Sequence, residues 1–397
     1  MDELRTIVLE GDPATLGMSH GRLLAGEIQL LAGQVSKQLF RRGGALRGIP
    51  LRLVAQTLAL AMSRHIPPRI RAEIRWIARG AGVPYVDLLL INTLDDVLNI
   101  LRRLAPHAPQ LACSSFALFG SRSRDGRLIH GRNLDYHFRG TPLDDAGAVA
   151  KLLIQETTLF VYRPLGRAAF LSVGWPGMVG ATTAMSQQAL SLGNLTSYLR
   201  GTTPNGTPTA ILYRLVMEEA SSLKEVDQIL REAHRTIGNN LLVSSGRENS
   251  AALFEITRYE VTKVTPQDGL LVATNHFLSP ELARRQRPHL LAHSVGRWER
   301  LQSLCDRRDV DVDEALRFLA DTGQGAMPAN PLARVANEAT ALSVLFRPTE
   351  MTLWVGRGKT PPASAGEFVP VDGATLLSRQ REGPREPRVP PSSPRFP

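Results

Sequence analysis

The chain has 397 residues, 43% of them hydrophobic, and a formal net charge of +10; it can bury a large core as one big domain or two. Almost all of the positive charge is Arg, spread over helix faces with no Lys-rich tract and no Arg–aromatic interleaving, which argues against a nucleic-acid partner. Two cysteines give no disulfide framework, the acidic start carries no apolar signal segment, and no run of about 18 apolar residues offers a membrane span. A cytoplasmic protein without stable membrane insertion is expected.

In chain order, residues 6–10 are predicted as a strand and Gly11-Asp12-Pro13 as a turn. Residues 14–40 read as a helix, with Leu24, Ile28, Leu31 and Val35 at helical spacing, broken by Gly43-Gly44. Further helices are predicted over 51–65, 70–80 and 85–104, with a loop over 106–110. Strands are expected over 152–163, 167–173, 179–185 and 189–195, and helices over 211–220 and 223–234. Strands at 240–245, 250–257, 260–265 and 270–274 follow at the short spacing of a meander. Helices over 284–305 and 312–319 precede a last strand pair at 340–346 and 351–355. Strands, helices, strands, helices, strands suit two packed sheets with helices outside rather than a βαβ arrangement. From 377 onward the chain is rich in Arg, Pro and Ser, a composition expected to be disordered.

The chemistry concentrates between residues 112 and 137. Cys113 heads the apolar run 116–119, Asp125-Gly126 marks a tight hairpin turn, and the returning run 128–136 carries Arg132 and Asp135. Such a hairpin brings a cation and a carboxylate back toward the thiol. The plain alternatives are a buried structural cysteine and a surface ion pair. A cysteine nucleophile needs a base and oxyanion donors. Nothing marks any of His20, His65, His107, His130, His137, His234, His276, His289 or His293 as that base. The α-amine of Cys113 would serve if cleavage made it the first residue, since such an amine has a pKa of about 7.7–8.0. His289 and His293 lie four apart, which alone defines no metal site; neither metal nor cofactor is expected. Cys305 reads as helix core.

Cys113-Ser114-Ser115-Phe116 followed by Gly131-Arg132-Asn133-Leu134-Asp135 resembles the N-terminal-nucleophile (Ntn) hydrolases. The nearest subgroup is the self-cleaving acyltransferases and amidases typified by isopenicillin N acyltransferase, with acid ceramidase, N-acylethanolamine amidase and choloylglycine hydrolase as more distant kin. The likeness is collinear over roughly 6–360. Gly17-Met18-Ser19-His20-Gly21, the segment 180–194, Thr274-Asn275-His276, the segment 294–301 and Leu342-Ser343-Val344-Leu345-Phe346 each match a family motif. One departure is Met185-Ser186-Gln187-Gln188-Ala189, where the family has Met-Asn-Glu-x-Gly. In relatives that hairpin lies near the substrate pocket, which implies a different specificity.

The resemblance implies an α+β fold, a four-layer αββα sandwich preceded by a helical pro-region. Residues 1–112 would be the pro-region or α chain, 113–376 the hydrolase β chain, and 377–397 the tail. It implies self-cleavage between Ala112 and Cys113, with Cys113 as nucleophile of an amide hydrolase or N-acyltransferase working through an acyl-thioester. Arg132 would lie by the thiolate and acyl carbonyl, Asp135 would hold the new α-amine, and Asn275 would donate to the oxyanion. Asn194 is a second candidate donor, against a plain Gly193-Asn194 turn. Arg297 is a site residue with Arg300 competing, and His20 and His276 are structural hydrogen-bonders. The partners implied are a small N-acyl amide or acyl-thioester and the chain's own cleaved α chain. A non-catalytic acyl- or peptide-binding protein on the same fold and a lipid-handling protein at anionic membranes are the rival readings.

Overall fold

Most strands are buried at nearly every position, so each sheet has two buried faces, and this generates the layers. The computed structural model describes residues 4–41, 45–46, 49–102, 110–137, 148–199, 201–286, 291–323 and 333–378. Strand β1 (Thr6–Gly11) leads into α1 (Pro13–Leu23), α2 (Ala25–Arg41), the short pair β2 (Ala45–Leu46) and β3 (Ile49–Pro50), α3 (Leu51–Ser63), α4 (Pro68–Ala81), α5 (Tyr85–Asn92) and α6 (Leu94–Leu101). Next come β4 (Gln110–Leu118), β5 (Ile129–His137), α7 (Ala148–Gln155), β6 (Thr158–Pro164), β7 (Phe170–Gly174), β8 (Thr183–Ser186) and β9 (Leu190–Thr196). Helices α8 (Thr209–Glu219) and α9 (Leu223–Glu232) precede the meander β10 (Asn239–Ser245), β11 (Ser250–Ile256) and β12 (Val261–Val264); the strand expected as its fourth member, β13 (Leu270–Ala273), instead crosses to the other sheet and pairs with β4. The chain closes with α10 (Pro280–Ala283), α11 (Ala292–Cys305), α12 (Val312–Leu319), β14 (Thr340–Arg347), β15 (Thr352–Gly356), β16 (Phe368–Asp372) and α13 (Gly373–Ser378).

One sheet has the order β1-β6-β7-β8-β9-β10-β11-β12 and the other β13-β4-β5-β14-β15-β16. Their facing sides enclose a core that includes Val161, Leu171, Met185, Leu195, Leu242 and Leu253 from the first and Cys113, Leu134, Tyr136, Leu342, Val344 and Phe346 from the second. On the far side of the first sheet, Phe160, Tyr162, Leu192, Leu241 and Phe254 pack against α1, α3, α4, α5, α8 and α9. On the far side of the second, Phe116, Leu118, Ile129 and Leu345 meet Leu301, Cys305, Ala315 and Phe318 of α11 and α12. This is the expected α+β four-layer αββα sandwich. The segment ahead of Cys113 is part of it. β1 pairs parallel with β6 at the sheet edge, and Ile70, Ile74, Ile77 and Leu88 belong to the outer helical layer's core.

The motif Gly17-Met18-Ser19-His20-Gly21 gains a physical reason here. A Cβ on Gly17 would stand 2.4 Å from the Glu73 carbonyl oxygen, and one on Gly21 2.4 Å from that of Ile77, so α1 can lie against α4 only with glycine at both. His20 is fully buried, and its Nε2 accepts from the Gly177 N–H at 2.9 Å. Burial pushes its pKa down to about 3, the Arg214 charge helping, so it is a neutral structural group as expected.

Several predicted elements differ. The helix over 14–40 breaks at Leu24 (φ −124°) and that over 85–104 at Thr93 (φ −122°); apolar spacing runs across both breaks and cannot reveal them. Residues 152–155 are helical, because a short apolar run such as Leu152-Leu153-Ile154 carries no period of its own. Strand β8 starts only at Thr183, since the preceding backbone is claimed by other groups: Val179 N–H donates to Asn92 Oδ1 and Ala181 N–H to the Ala210 carbonyl. Gln110 opens β4 instead of ending a loop; the rest of that predicted loop, 106–109, lies outside the described residues. The turn at Asp125-Gly126 is not a tight one. The connection covers 119–128 and includes a short helical turn, Gly120–Arg122, with Asp125 Oδ1 accepting from the Arg127 N–H. The helix predicted over 284–305 forms only over 292–305, as α11; residues 284–286 are a turn after α10, and 287–290 lie outside the described residues; α10, β16 and α13 had no prediction. Leu377 and Ser378 end α13, and the remainder of the expected disordered tail lies outside the described residues. Among the described residues no helix is long and apolar enough to cross a membrane, and no group of three or more His, Cys, Asp or Glu could hold a metal.

Candidate active site

Strand alternation sorts the hairpin β4–β5 into two functional faces. Cys113 and Ser115 on β4, with His130, Arg132, Leu134 and Tyr136 on β5, point between the sheets; Ser114, Asn133 and Asp135 point to the α11–α12 side. Cys113 pairs with Leu134, and Ala112 with Asp135. The Ala112–Cys113 peptide is therefore inside a paired strand, and both residues are buried.

Asn275, which follows β13, returns to this point. Its Oδ1 accepts from the Cys113 N–H at 2.6 Å and from Arg297 Nη2 at 2.7 Å, while its Nδ2 donates to the Thr196 carbonyl at 2.9 Å. Two obligate donors on one side and a carbonyl on the other leave the amide a single orientation. The loop around it is pinned as well. Asn240 Nδ2 donates to the carbonyls of Thr274 (3.0 Å) and His276 (2.7 Å). His276 Nδ1 bonds the hydroxyls of Thr274 and Ser294, and burial pushes its pKa down to about 4, so it serves structure as expected.

Arg132 crosses the gap between the sheets. Its Nε donates to Thr183 Oγ1 at 2.7 Å and its Nη2 to Asn194 Oδ1 at 3.0 Å. The aliphatic part of Arg132 occupies space that only glycine leaves open: a Cβ on Gly193 would be 2.7 Å from Arg132 Cδ. Gly193-Asn194 is thus the middle of β9 and not a turn. Asp135 accepts from Asn337 Nδ2 at 3.0 Å through Oδ2, and its buried Oδ1 has no hydrogen-bond partner.

Burial dominates the electrostatics. It pushes the Cys113 thiol up, with the Arg132 guanidinium the largest opposing influence and the Asp135 charge reinforcing the rise. Burial likewise raises the Asp135 carboxyl against the Arg297 charge, and lowers Arg297 against Asp135 and Cys113. The Arg132 charge favours a thiolate once a proton acceptor is present.

Cys113, Arg132, Asp135, Asn194, Asn275 and Arg297 thus converge, with Ala112 at the peptide bond they surround. Arg300 does not: it is partly exposed and forms a bidentate pair with Asp321 at 2.7 and 2.8 Å. Cys305 is buried in α11, where burial pushes its thiol up. His289 is outside the described residues, and His293 is buried on α11. The departures at 186–189 form the β8–β9 turn, five or more residues from Asn194 along the strand and so about 16 Å away. Sequence reading did not single out Thr183 or Asn337. Thr183 stood within the matched segment 180–194, whereas Asn337 carries no motif and is identified only by its contact.

The model of the acyl-coenzyme A:6-aminopenicillanic acid acyl-transferase family matches residues 122–360. An uncharacterized protein of Archaeoglobus fulgidus is 26% identical over 87% of this chain, but the chain spans only 62% of that relative. The 40 kDa form of acyl-coenzyme A:6-aminopenicillanic-acid-acyltransferase of Emericella nidulans is 23% identical, over 75% of this chain and 76% of its own length. The solved Caenorhabditis elegans N-acylethanolamine-hydrolyzing acid amidase ortholog superposes on 60% of this chain and 93% of its own, with a TM-score of 0.43 and 18% identity.

Proposed function

Because the chain belongs to the acyl-coenzyme A:6-aminopenicillanic acid acyl-transferase family, a branch of the Ntn hydrolases, we propose that it is a precursor that cuts its own Ala112–Cys113 bond and then works as an N-terminal cysteine amidase or acyltransferase on a small N-acyl substrate. One observation carries this reading. The polar groups gather at the Ala112–Cys113 peptide: the Cys113 N–H donates to Asn275 Oδ1 at 2.6 Å, and Asp135, whose buried Oδ1 has no partner, is the residue paired with Ala112 on the next strand. A backbone N–H needs no second acceptor and no carboxylate; an α-amine at the same place would use both.

In self-cleavage the Cys113 sulfur attacks the Ala112 carbonyl carbon, the C–N bond breaks, and water hydrolyses the resulting thioester. Residues 1–112 and the chain from Cys113 onward result. In the mature site the α-amine of Cys113 takes the thiol proton and later protonates the leaving amine. Asn275 uses one Nδ2 hydrogen on Thr196 and has a second for the oxyanion. Arg132, fixed by Thr183 and Asn194, faces the thiolate and the acyl oxygen. The acyl-thioester passes to water or to an amine, giving hydrolysis or transfer.

The two pieces should remain together. Arg214 on α8 forms a buried bidentate pair with Glu73 on α4 at 2.7 and 2.9 Å. Asp96 on α6 accepts from the Thr209 N–H and hydroxyl and from the Thr236 hydroxyl, and Asn92 bonds Gly177 and Val179. Denaturing gels and intact mass test the proposal. Purified protein should resolve into two chains, and Cys113→Ala should stay whole at 43.4 kDa. An active protein that migrates as a single uncut chain, or normal cutting in Cys113→Ala, refutes it. A panel of N-acyl amides with and without an amine acceptor separates hydrolysis from transfer.

A further inference from the structure

In the uncut chain the Cys113 nitrogen is an amide and cannot act as a base. The first cut therefore needs a proton acceptor that the mature enzyme does not, and the buried groups around the thiol point to one that lies ahead of the cut. Tyr136 is on the same face of the β4–β5 hairpin as Cys113. Cys113 pairs with Leu134, so Tyr136 is its diagonal neighbour, within reach of an aromatic side chain. The Tyr136 hydroxyl donates to Asp95 Oδ1 at 3.4 Å, a long bond that a small rotation would tighten. Its ring packs edge-on against Trp175 at 5.5 Å, which restricts where the hydroxyl can go.

We propose that Asp95, carried on α6 in the segment ahead of the cut, is the positioning residue that draws off the Cys113 thiol proton through the Tyr136 hydroxyl during self-cleavage. This rests on the self-cleaving reading above. The thiol proton moves to the Tyr136 oxygen as the Tyr136 proton moves to Asp95. The sulfur bonds to the Ala112 carbonyl carbon and the C–N bond breaks. The proton held on Asp95 then returns by the same route to the Cys113 nitrogen, which keeps its own hydrogen and becomes an amine. Water later splits the thioester, giving the Ala112 carboxyl and restoring the thiol.

The charge count favours this route. Moving the proton from Cys113 to Asp95 exchanges one buried anion for another, so the pocket around Arg132 gains no net charge. The groups facing Asp95 are Asp96 on its own helix, Arg132 and Tyr136 on β5, and Tyr213 on α8, with Cys113 on β4 facing it across Tyr136. Asp95 is half-buried, and desolvation, then the Asp96 charge, pushes its carboxyl up to about 7. An acceptor near that value is about half ionised at neutral pH and basic enough to hold a proton briefly. Burial raises the Tyr136 phenol well above its ordinary value, so Tyr136 passes a proton on without itself becoming an anion at rest.

The test is the rate of self-cleavage of the full chain against pH, followed on denaturing gels after refolding, with no added substrate. Wild type should speed up as pH rises through about 7, where Asp95 ionises. Asp95→Asn should cut about 100-fold more slowly at pH 8 and lose that rise, and Asp95→Glu should recover part of both. Tyr136→Phe, which removes only the hydroxyl, should match Asp95→Asn; it carries the test if Asp95→Asn fails to fold. Wild-type rate and pH profile in the folded Asp95 and Tyr136 variants overturn the proposal while leaving self-cleavage intact. A wild-type chain that never cuts refutes the self-cleaving reading and this one with it.

Discussion

Asn275→Ala removes the side chain on which the site closes, and the consequences can be worked out bond by bond. Its Oδ1 accepts from a buried guanidinium and a buried backbone N–H, and its Nδ2 donates to the Thr196 carbonyl. A hydrogen bond to a charged group contributes about 1.5–3 kcal/mol, and a buried backbone donor left unpaired costs about 1–3 kcal/mol. Water entering the space left by the side chain would recover part of this, so a loss of about 3–4 kcal/mol is expected. Denaturant unfolding should be compared in a Cys113→Ala background, so that one intact chain unfolds in both samples. The chemical consequence is separate. At a temperature where both proteins are folded, self-cleavage by the Asn275→Ala single variant should fall about 100- to 1,000-fold, the range found for deleting an oxyanion donor. A stability change under 1 kcal/mol, or cleavage within threefold of wild type, would show that Asn275 does not organise the Cys113 nitrogen and Arg297 as described.

Two further outcomes follow from neighbouring contacts. Arg297→Ala should slow self-cleavage about 100-fold by removing the donor to Asn275 Oδ1, whereas Arg300→Ala should leave it unchanged. Arg300 is 36% exposed and pairs with Asp321, a surface contact worth at most about 1 kcal/mol in denaturant unfolding. Ala189→Gly should stabilise the protein slightly: Ala189 sits at φ +61°, where an L side chain costs about 1–2 kcal/mol. The added freedom of the unfolded chain returns about 0.4–1 kcal/mol of that, leaving a net gain of about 0.5 kcal/mol, read as a small rise in the denaturant midpoint.

The fold class was legible in the sequence because strand alternation and helical spacing are local patterns. The strands β10 to β13 and the strand pair β14–β15 appeared within a residue or two of their observed bounds, though β13 joins the other sheet and leaves the meander at three strands. What spacing could not reveal were the breaks at Leu24 and Thr93 and the helix α7, since apolar residues fall at compatible positions on both sides of each boundary. The departure at 185–189 was legible as a departure, but its meaning was not. It is a turn at the far end of β9 with a strained Ala189, because strand length separates it from Asn194.

For the site, sequence order alone marked Cys113, Arg132 and Asp135, since one hairpin holds all three and each is a residue type the chemistry requires. Asn275 and Arg297 were reachable through collinear motifs, though motifs give no distances. Only the tertiary structure decided between Arg297 and Arg300. They lie three apart on one helix, and rotation about the helix axis turns one toward Asn275 and the other toward Asp321. Only the tertiary structure, too, brought Thr183, Asn337 and Asp95 to the pocket, from a strand of the opposite sheet, a turn before β14 and a helix ahead of Cys113. Local sequence determines what each element is and which face it buries; which side chains share a buried pocket depends on how distant elements pack, and no local period encodes that.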